Sequence, residues 1–397
     1  MLHIVFYFQV HQPYRLKHYS VLDIAREGNF FDDNLNAAVI RKVGEKCYLP
    51  ANKVLLELIN KYEGKFKIAF SITGVVIEQF RQYYPEVLES FRELARTGCV
   101  EFLGETYYHS LSFLFDKDEF LTQVHMHRKL MMDEFGYKPV IFRNTELIYQ
   151  DELANIISED GNYKGILAEG VEKILDWRSP LYAYKTHNHN LFLLLKYYKL
   201  SDDIAFRFSN RGWPEFPLTT EKFVNWVSDL SLIEKGNKKL FVNLFMDYET
   251  FGEHQWEDTG IFEFMRHLPD RTFKSHNISF AWPSDVLDIT NYSPEPLSFP
   301  KPVSWADTER DLSAWLENDF QINANETFYD ILHQIKATGR DDLIVKARRL
   351  STSDHFYYMC TKYFQDGDVH KYFSPYDSPE QAYIFYMNAL AYLRDQL

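Results

Sequence analysis

Short apolar runs recur along the chain, most of them too continuous in Val, Ile, Leu and Phe to have a wet face. They fall at Leu2–Phe8, Lys67–Ile72, Val100–Leu103, Val140–Phe142, Gly165–Ala168, Ile204–Phe208, Leu240–Met246 and Ile278–Ala281. Strands covered on both faces have this pattern. Between most of them the apolar positions switch to helical spacing, as in Ala51–Tyr62, Val75–Thr97, Glu119–Phe135, Glu152–Glu159 and Glu221–Glu234. Strands that alternate with helices imply parallel pairing through crossovers. Seven or eight such units imply an α/β fold curled into a closed or nearly closed barrel. The segment Leu181–Leu200 breaks the rhythm and reads as a hairpin-like insertion that turns around Asn188–Asn190.

The pattern changes again at Asn291–Pro302, where four prolines in twelve residues describe a wrapping linker. Beyond it the spacing is helical, at Asp311–Phe320, Asn325–Ala337, Asp342–Leu350 and Pro379–Leu397. The expected organisation is a barrel over 1–290 and an α-helical region over 300–397.

Composition narrows the partners. Of 397 residues, 46% are hydrophobic and 25% charged, the balance of a soluble chain with a large core. A net charge of −14 argues against nucleic acid or an anionic membrane surface as partner, and it fits a neutral substrate. The three cysteines, Cys47, Cys99 and Cys360, have neither disulfide-framework nor metal-type spacing. No apolar stretch approaches the ~20 residues that span a membrane. The first apolar run has no basic region before it and reads as a buried strand, so the expected location is cytoplasmic. Aromatics are abundant, at 17%. Most Phe must be core. Tyr and Trp also suit a half-wet groove in which sugar rings stack.

Barrel enzymes build their sites at the C-terminal ends of the strands. The polar residues there are Gln9, His11 and Gln12; Ser71 and Thr73; Glu105, Thr106 and His109; Arg143, Asn144 and Glu146; Ser209, Arg211 and Trp213; and Asp247, Glu249, Glu253 and His254. Asp247 follows an apolar strand directly, as Glu146 nearly does. Either acid alone could be a helix cap or a solvated loop residue. Two acids from different strands at one mouth form the pair that glycoside hydrolysis uses. The histidines offer a rival reading, a metal set of His11, His109, His254 and His355 with Asp247 and Glu105. None of these is spaced as a helical metal pair.

Five segments resemble glycoside hydrolase family 57, and within it the α-amylase branch. They are His11–Pro13, Glu101–Leu111, Phe142–Tyr149, Met246–His254 and Asp354–Met359. The resemblance implies an incomplete (β/α)7 barrel and a retaining mechanism without a required metal or other cofactor. It makes Glu146 the nucleophile and Asp247 the general acid/base. Substrate binding then falls to His11, Glu105, His109, His254, Asp354, His355 and Tyr358, with Trp213 as an added aromatic candidate. The C-terminal region contributes the Asp354 segment. The implied activity is cleavage of α-1,4-glucosidic bonds in an α-glucan or maltooligosaccharide. The alternatives are a 4-α-glucanotransferase using the same residues, a metal-dependent barrel hydrolase such as a deacetylase, or a non-catalytic glucan binder. As general acid, Asp247 needs a raised pKa, from burial or from nearby charge such as that of Glu249 or Glu253.

Overall fold

The computed structural model describes residues 2–26, 28–232, 238–289, 292–362 and 372–397. At its centre is β1 (Leu2–Val10), buried on both faces. One edge of β1 pairs with β8 (Leu240–Asp247). The other edge pairs with β2 (Ile68–Ile72), and β3 (Val100–Phe102) lies beyond β2. A short β9 (Ile278–Phe280) runs beside the first residues of β1. All these pairings are parallel.

A second sheet has the order β10 (Pro296–Leu297), β6 (Tyr184–Thr186), β7 (Phe192–Leu195), β5 (Gly165–Ala168), β4 (Ile141–Arg143). Only β6 and β7 pair antiparallel, as the hairpin-like insertion predicts. The two sheets touch at a parallel bridge between Gly104 and Phe142. Glycine is needed there, because a Cβ on Gly104 would meet the Tyr163 ring at 2.4 Å. On the far side, β7 and β8 form no ladder. Asn243 spans the gap instead: its side chain donates to Leu195 O at 2.8 Å, and its carbonyl accepts from Tyr197 N at 2.8 Å. The strands therefore do not close into one hydrogen-bonded sheet. They still enclose a shared core of Val5, Tyr7, Ala69, Leu103, Ile141, Leu167, Leu194, Phe241 and Phe245. The alternate residues Ile4, Phe6 and Phe8 face outward into the cluster shared with the flanking helices.

The helices among and around these strands are α1 (Asp33–Val43), α2 (Leu49–Lys61), α3 (Gly74–Tyr83), α4 (Pro85–Arg96), α5 (Lys117–Phe135), α6 (Asp151–Asp160), α7 (Glu172–Leu175), α8 (Tyr198–Ala205), α9 (Thr220–Ser231) and α10 (Ile261–Phe273). The single helix expected over Val75–Thr97 is two. Pro85 cannot donate to a preceding turn, so it starts α4 instead of continuing α3. The strand expected at Ile204–Phe208 is absent. Leu200, Ile204 and Ala205 form a helical stripe on α8, packed against β8, and β7 takes the place in the sheet. The last residues of the expected helix Glu221–Glu234, Ile233 and Glu234, lie outside the described residues, as does Asn291 of the expected linker.

The C-terminal region holds α11 (Ser313–Leu316), α12 (Asp319–Thr338), α13 (Asp341–Leu350), α14 (Ser353–Tyr357) and α15 (Pro379–Asp395). Asn318 caps α12 in a reciprocal box with Gln321, and Gly339 ends it in the left-handed conformation. Phe328 and Leu332 of α12 and Tyr386 and Leu390 of α15 share one apolar cluster with Phe142, Leu153 and Ile157. Ser353 N donates to His109 O at 2.9 Å, tying the start of α14 to the loop after β3. Among the described residues, no helix is long and apolar enough to cross a membrane.

Candidate active site

The two candidate acids leave their strands differently. Asp247 is the last residue of β8, opposite Gln9 in register. Glu146 sits three residues past β4 in a tight turn with φ 57° and ψ 25°. A left-handed conformation costs a non-glycine residue about 1–2 kcal/mol, so its surroundings must hold it. Around this turn, the Thr106 and Thr145 hydroxyls pair at 2.8 Å, and Asn144 Nδ2 donates to Ile148 O at 3.1 Å. His109 is also left-handed, at φ 52°.

The Glu146 carboxylate is surrounded by donors. His109 Nε2 donates to Oε1 at 3.0 Å, Ser353 Oγ to Oε1 at 3.3 Å and Trp305 Nε1 to Oε2 at 2.7 Å. Burial pushes its pKa up, but the hydrogen bond and charge of His109, with the charge of Arg143, outweigh burial. The net shift is below the usual carboxylate range. Among the described residues, Asp247 receives no such donors. Burial first, and the negative charge of Glu146 second, push its pKa up to about 6. The expected sources of charge, Glu249 and Glu253, do not play this part. Burial pushes Glu249 itself up to about 8, where it accepts from Tyr48 and Gln12. Glu253 pairs with Lys42 and lies 4.0 Å from Lys46.

His109 lies between two carboxylates. Its Nδ1 is 3.2 Å from Glu105 Oε2, opposite its contact with Glu146. Burial lowers its pKa, but the two hydrogen-bonded acids prevail and raise it to about 9, so both nitrogens donate. The His11 ring stacks on His109 with centroids 4.1 Å apart. Burial and the adjacent His109 charge depress the His11 pKa. Its partners suit a neutral ring, with Nε2 donating to Asp354 Oδ2 and Nδ1 accepting from Thr73 Oγ1, both at 2.9 Å.

These groups surround a cavity of about 820 Å³. It is lined by Glu146, Asp247, His11, His109, His254, Asp354 and Tyr358, all expected from the sequence. Three other candidates are not on its wall. Glu105 is fully buried beneath His109. His355 is buried against the Tyr386 ring, 5.4 Å away. Trp213 packs on Trp226, because the strand expected to carry it to the mouth is a helix and turn. The sequence reading missed Trp305, Lys196, Asp202 and Arg310, which do line the cavity. Lys196 directly follows β7, so correct placement of that strand would have found it. Trp305 lies beyond the proline-rich stretch and carried no signal. Among the described residues, no group of three or more His, Cys, Asp or Glu side chains could hold a metal ion.

Residues 5–299 match the model of glycosyl hydrolase family 57. A Methanocaldococcus jannaschii protein named "Putative alpha-amylase" is 43% identical over 98% of this chain and 83% of its own length. Two solved structures share the fold at 16% identity. One is a branching enzyme of the same family from Pyrococcus horikoshii, with a TM-score of 0.68 over 93% of this chain and 87% of that one. The other is a 4-alpha-glucanotransferase from Thermococcus litoralis, with a TM-score of 0.64 over 89% of this chain. There the match spans only 56% of the enzyme's length.

Proposed function

Because the chain belongs to glycosyl hydrolase family 57, we propose that it is a retaining α-glucan hydrolase acting on α-1,4 bonds by double displacement. Glu146 is the nucleophile and Asp247 the general acid/base. The observation that carries this reading is the opposite tuning of two acids on one cavity. Charged and neutral donors hold Glu146 ionised, while burial and the Glu146 charge keep a proton on Asp247 to about pH 6. Glu146 attacks the anomeric carbon while Asp247 protonates the leaving oxygen. Asp247 then takes a proton from the incoming water as the glycosyl–Glu146 bond breaks. Such a pair works at a carboxyl separation of ~5–5.5 Å. His11, His109, His254, Asp354 and Tyr358 are the proposed sugar contacts, with Glu105 and His355 supporting them from behind. The proposed scaffold is an incompletely closed (β/α)7 barrel over 1–290, completed at the site by 300–397.

The deciding measurement is proton NMR of the first sugar released from a maltooligosaccharide. An α-anomer appearing first supports the scheme, and a β-anomer overturns it. A second reading, 4-α-glucanotransferase, uses the same residues and is favoured by the fold shared with an enzyme of that name. The two differ in whether water or a sugar hydroxyl resolves the intermediate. Products longer than the substrate from maltoheptaose would select the second.

A further inference from the structure

The nucleophile is one end of a buried chain of charge, Glu105–His109–Glu146. The far end is more tightly held than the near one. Glu105 accepts from Gln9 Nε2 at 3.2 Å, from the Ser71 hydroxyl and from His109 at 3.2 Å. Arg143, fully buried, has a nitrogen 3.8 Å from Glu105, and His127 Nε2 lies 3.9 Å away. His127 is neutral by its partners, since Nδ1 accepts from Glu105 N and Nε2 donates to Ile72 O. Tyr7 donates to Gln9, so even the outer donor is held in place. All of this surrounds a carboxylate that does not reach the cavity.

We propose that Glu105 is a positioning residue that keeps His109 a charged double donor to the nucleophile through both halves of the reaction. The proposal rests on Glu146 being the nucleophile. In the resting site the chain carries minus, plus, minus. When Glu146 bonds to the anomeric carbon, its negative charge is lost to the ester. Without Glu105, His109 would then be an imidazolium in a buried site facing Arg143 and stacked on His11, and it would shed its proton. With Glu105 present, the His109 proton stays. Nε2–H still points at the ester carbonyl, and it stabilises the carboxylate that leaves as the glycosyl–oxygen bond breaks and water adds. No proton crosses the chain. The transferred protons pass through Asp247.

The titratable and charged groups facing His109 are Glu105, Glu146, Arg143 and the neutral ring of His11. Those facing Glu146 are His109, Arg143, Asp354 and Asp247. Glu105 is the acid in this set that does not line the cavity.

The test is Glu105→Gln, which keeps the shape and removes the charge, in the full chain with histidine ring carbons labelled. In the parent protein the His109 resonance should stay that of an imidazolium through neutral pH. In the variant its midpoint should fall by at least one pH unit. Turnover should fall about 10–100-fold, while maltooligosaccharide affinity in a Glu146→Gln background changes less than twofold. Glu105→Asp, which restores charge, should recover the imidazolium signal even if contact with His109 is looser. If Glu105→Gln does not fold, Glu146→Gln replaces it: with the charge of Glu146 gone, Glu105 should still hold His109 as an imidazolium through neutral pH, and a His109 that loses its proton there overturns the proposal. A His109 midpoint unchanged by loss of the Glu105 charge overturns the proposal, as does a loss expressed wholly in binding. Failure of the nucleophile reading would look different: Glu146→Gln would turn over normally whatever His109 did.

Discussion

The proton on Asp247 is partly the work of Glu146, and that makes the two acids separable by mutation. Activity needs Glu146 ionised and Asp247 protonated. The pH profile of kcat/KM should therefore be bell-shaped, rising below the usual carboxylate range and falling as pH rises through about 6. A profile still flat at pH 8 would contradict the assignment of Asp247. In Glu146→Gln the neighbouring charge is gone, so the Asp247 midpoint should drop, observed by carbon NMR of labelled aspartates. The indole of Trp305 can be tested in the same way. It donates to Glu146 Oε2 at 2.7 Å, and its ring lies 4.9 Å from the Arg143 guanidinium. Trp305→Phe keeps an aromatic ring, a smaller one, and loses the N–H. A hydrogen bond to a charged group contributes about 1.5–3 kcal/mol, so kcat should fall roughly 10–100-fold. A kcat within twofold of the parent would mean that the indole only packs.

Among the elements, β3 holds a carboxyl far from the chemistry. Glu101 is buried, Oε2 accepts from Ser284 N at 3.0 Å, and Oε1 has no partner among the described residues. Burial, with some help from Asp285, raises its pKa to about 7. The folded protein thus holds a proton that the unfolded chain releases near pH ~4.3. The associated stability is present below that pH and is lost as pH rises to about 7. Glu101→Gln should flatten this part of the stability curve, gaining about 1–3 kcal/mol at pH 8 relative to pH 4.5. Urea unfolding at the two pH values checks this, and an unchanged slope would show that the buried carboxyl is not the titrating group. At the same scale, sequence patterns performed unevenly. Continuous apolar runs located β1, β2, β5 and β8 because those strands are covered on both faces. Ile204–Phe208 misled because five residues of alternating size suit a strand or the end of a helix equally well. Only the packing of α8 on β8 separates them.

The whole molecule is joined across its two expected regions by a shared core and by the site. Trp305, Ser353, Asp354 and Tyr358 all come from beyond residue 300, and the first two donate to Glu146. The helices that carry them pack their Phe328 and Tyr386 side chains into the cluster that also buries Phe142. Truncation after Pro300 should therefore abolish activity and expose apolar surface that drives aggregation. Sedimentation and activity of the 1–300 fragment check this. A soluble, fully active fragment would show that the C-terminal helices are an appendage.

The sequence alone determined the alternation of strand and helix, the change of pattern near residue 291 and the acids at strand ends. These follow from periodicity and from side chains emerging directly after a strand, both local properties of the chain. The third and fourth segments were long enough for their resemblance to point to a family. Tertiary structure alone decided that β7 and β8 are bridged by Asn243 without a ladder, and that Trp305 reaches Glu146. It also decided that Glu105 lies behind His109 and that Glu146, more than Glu249 or Glu253, supplies the charge beside Asp247. Each of these depends on burial and on distances between residues far apart in the chain. Both are set by how the layers pack, and no local pattern records them.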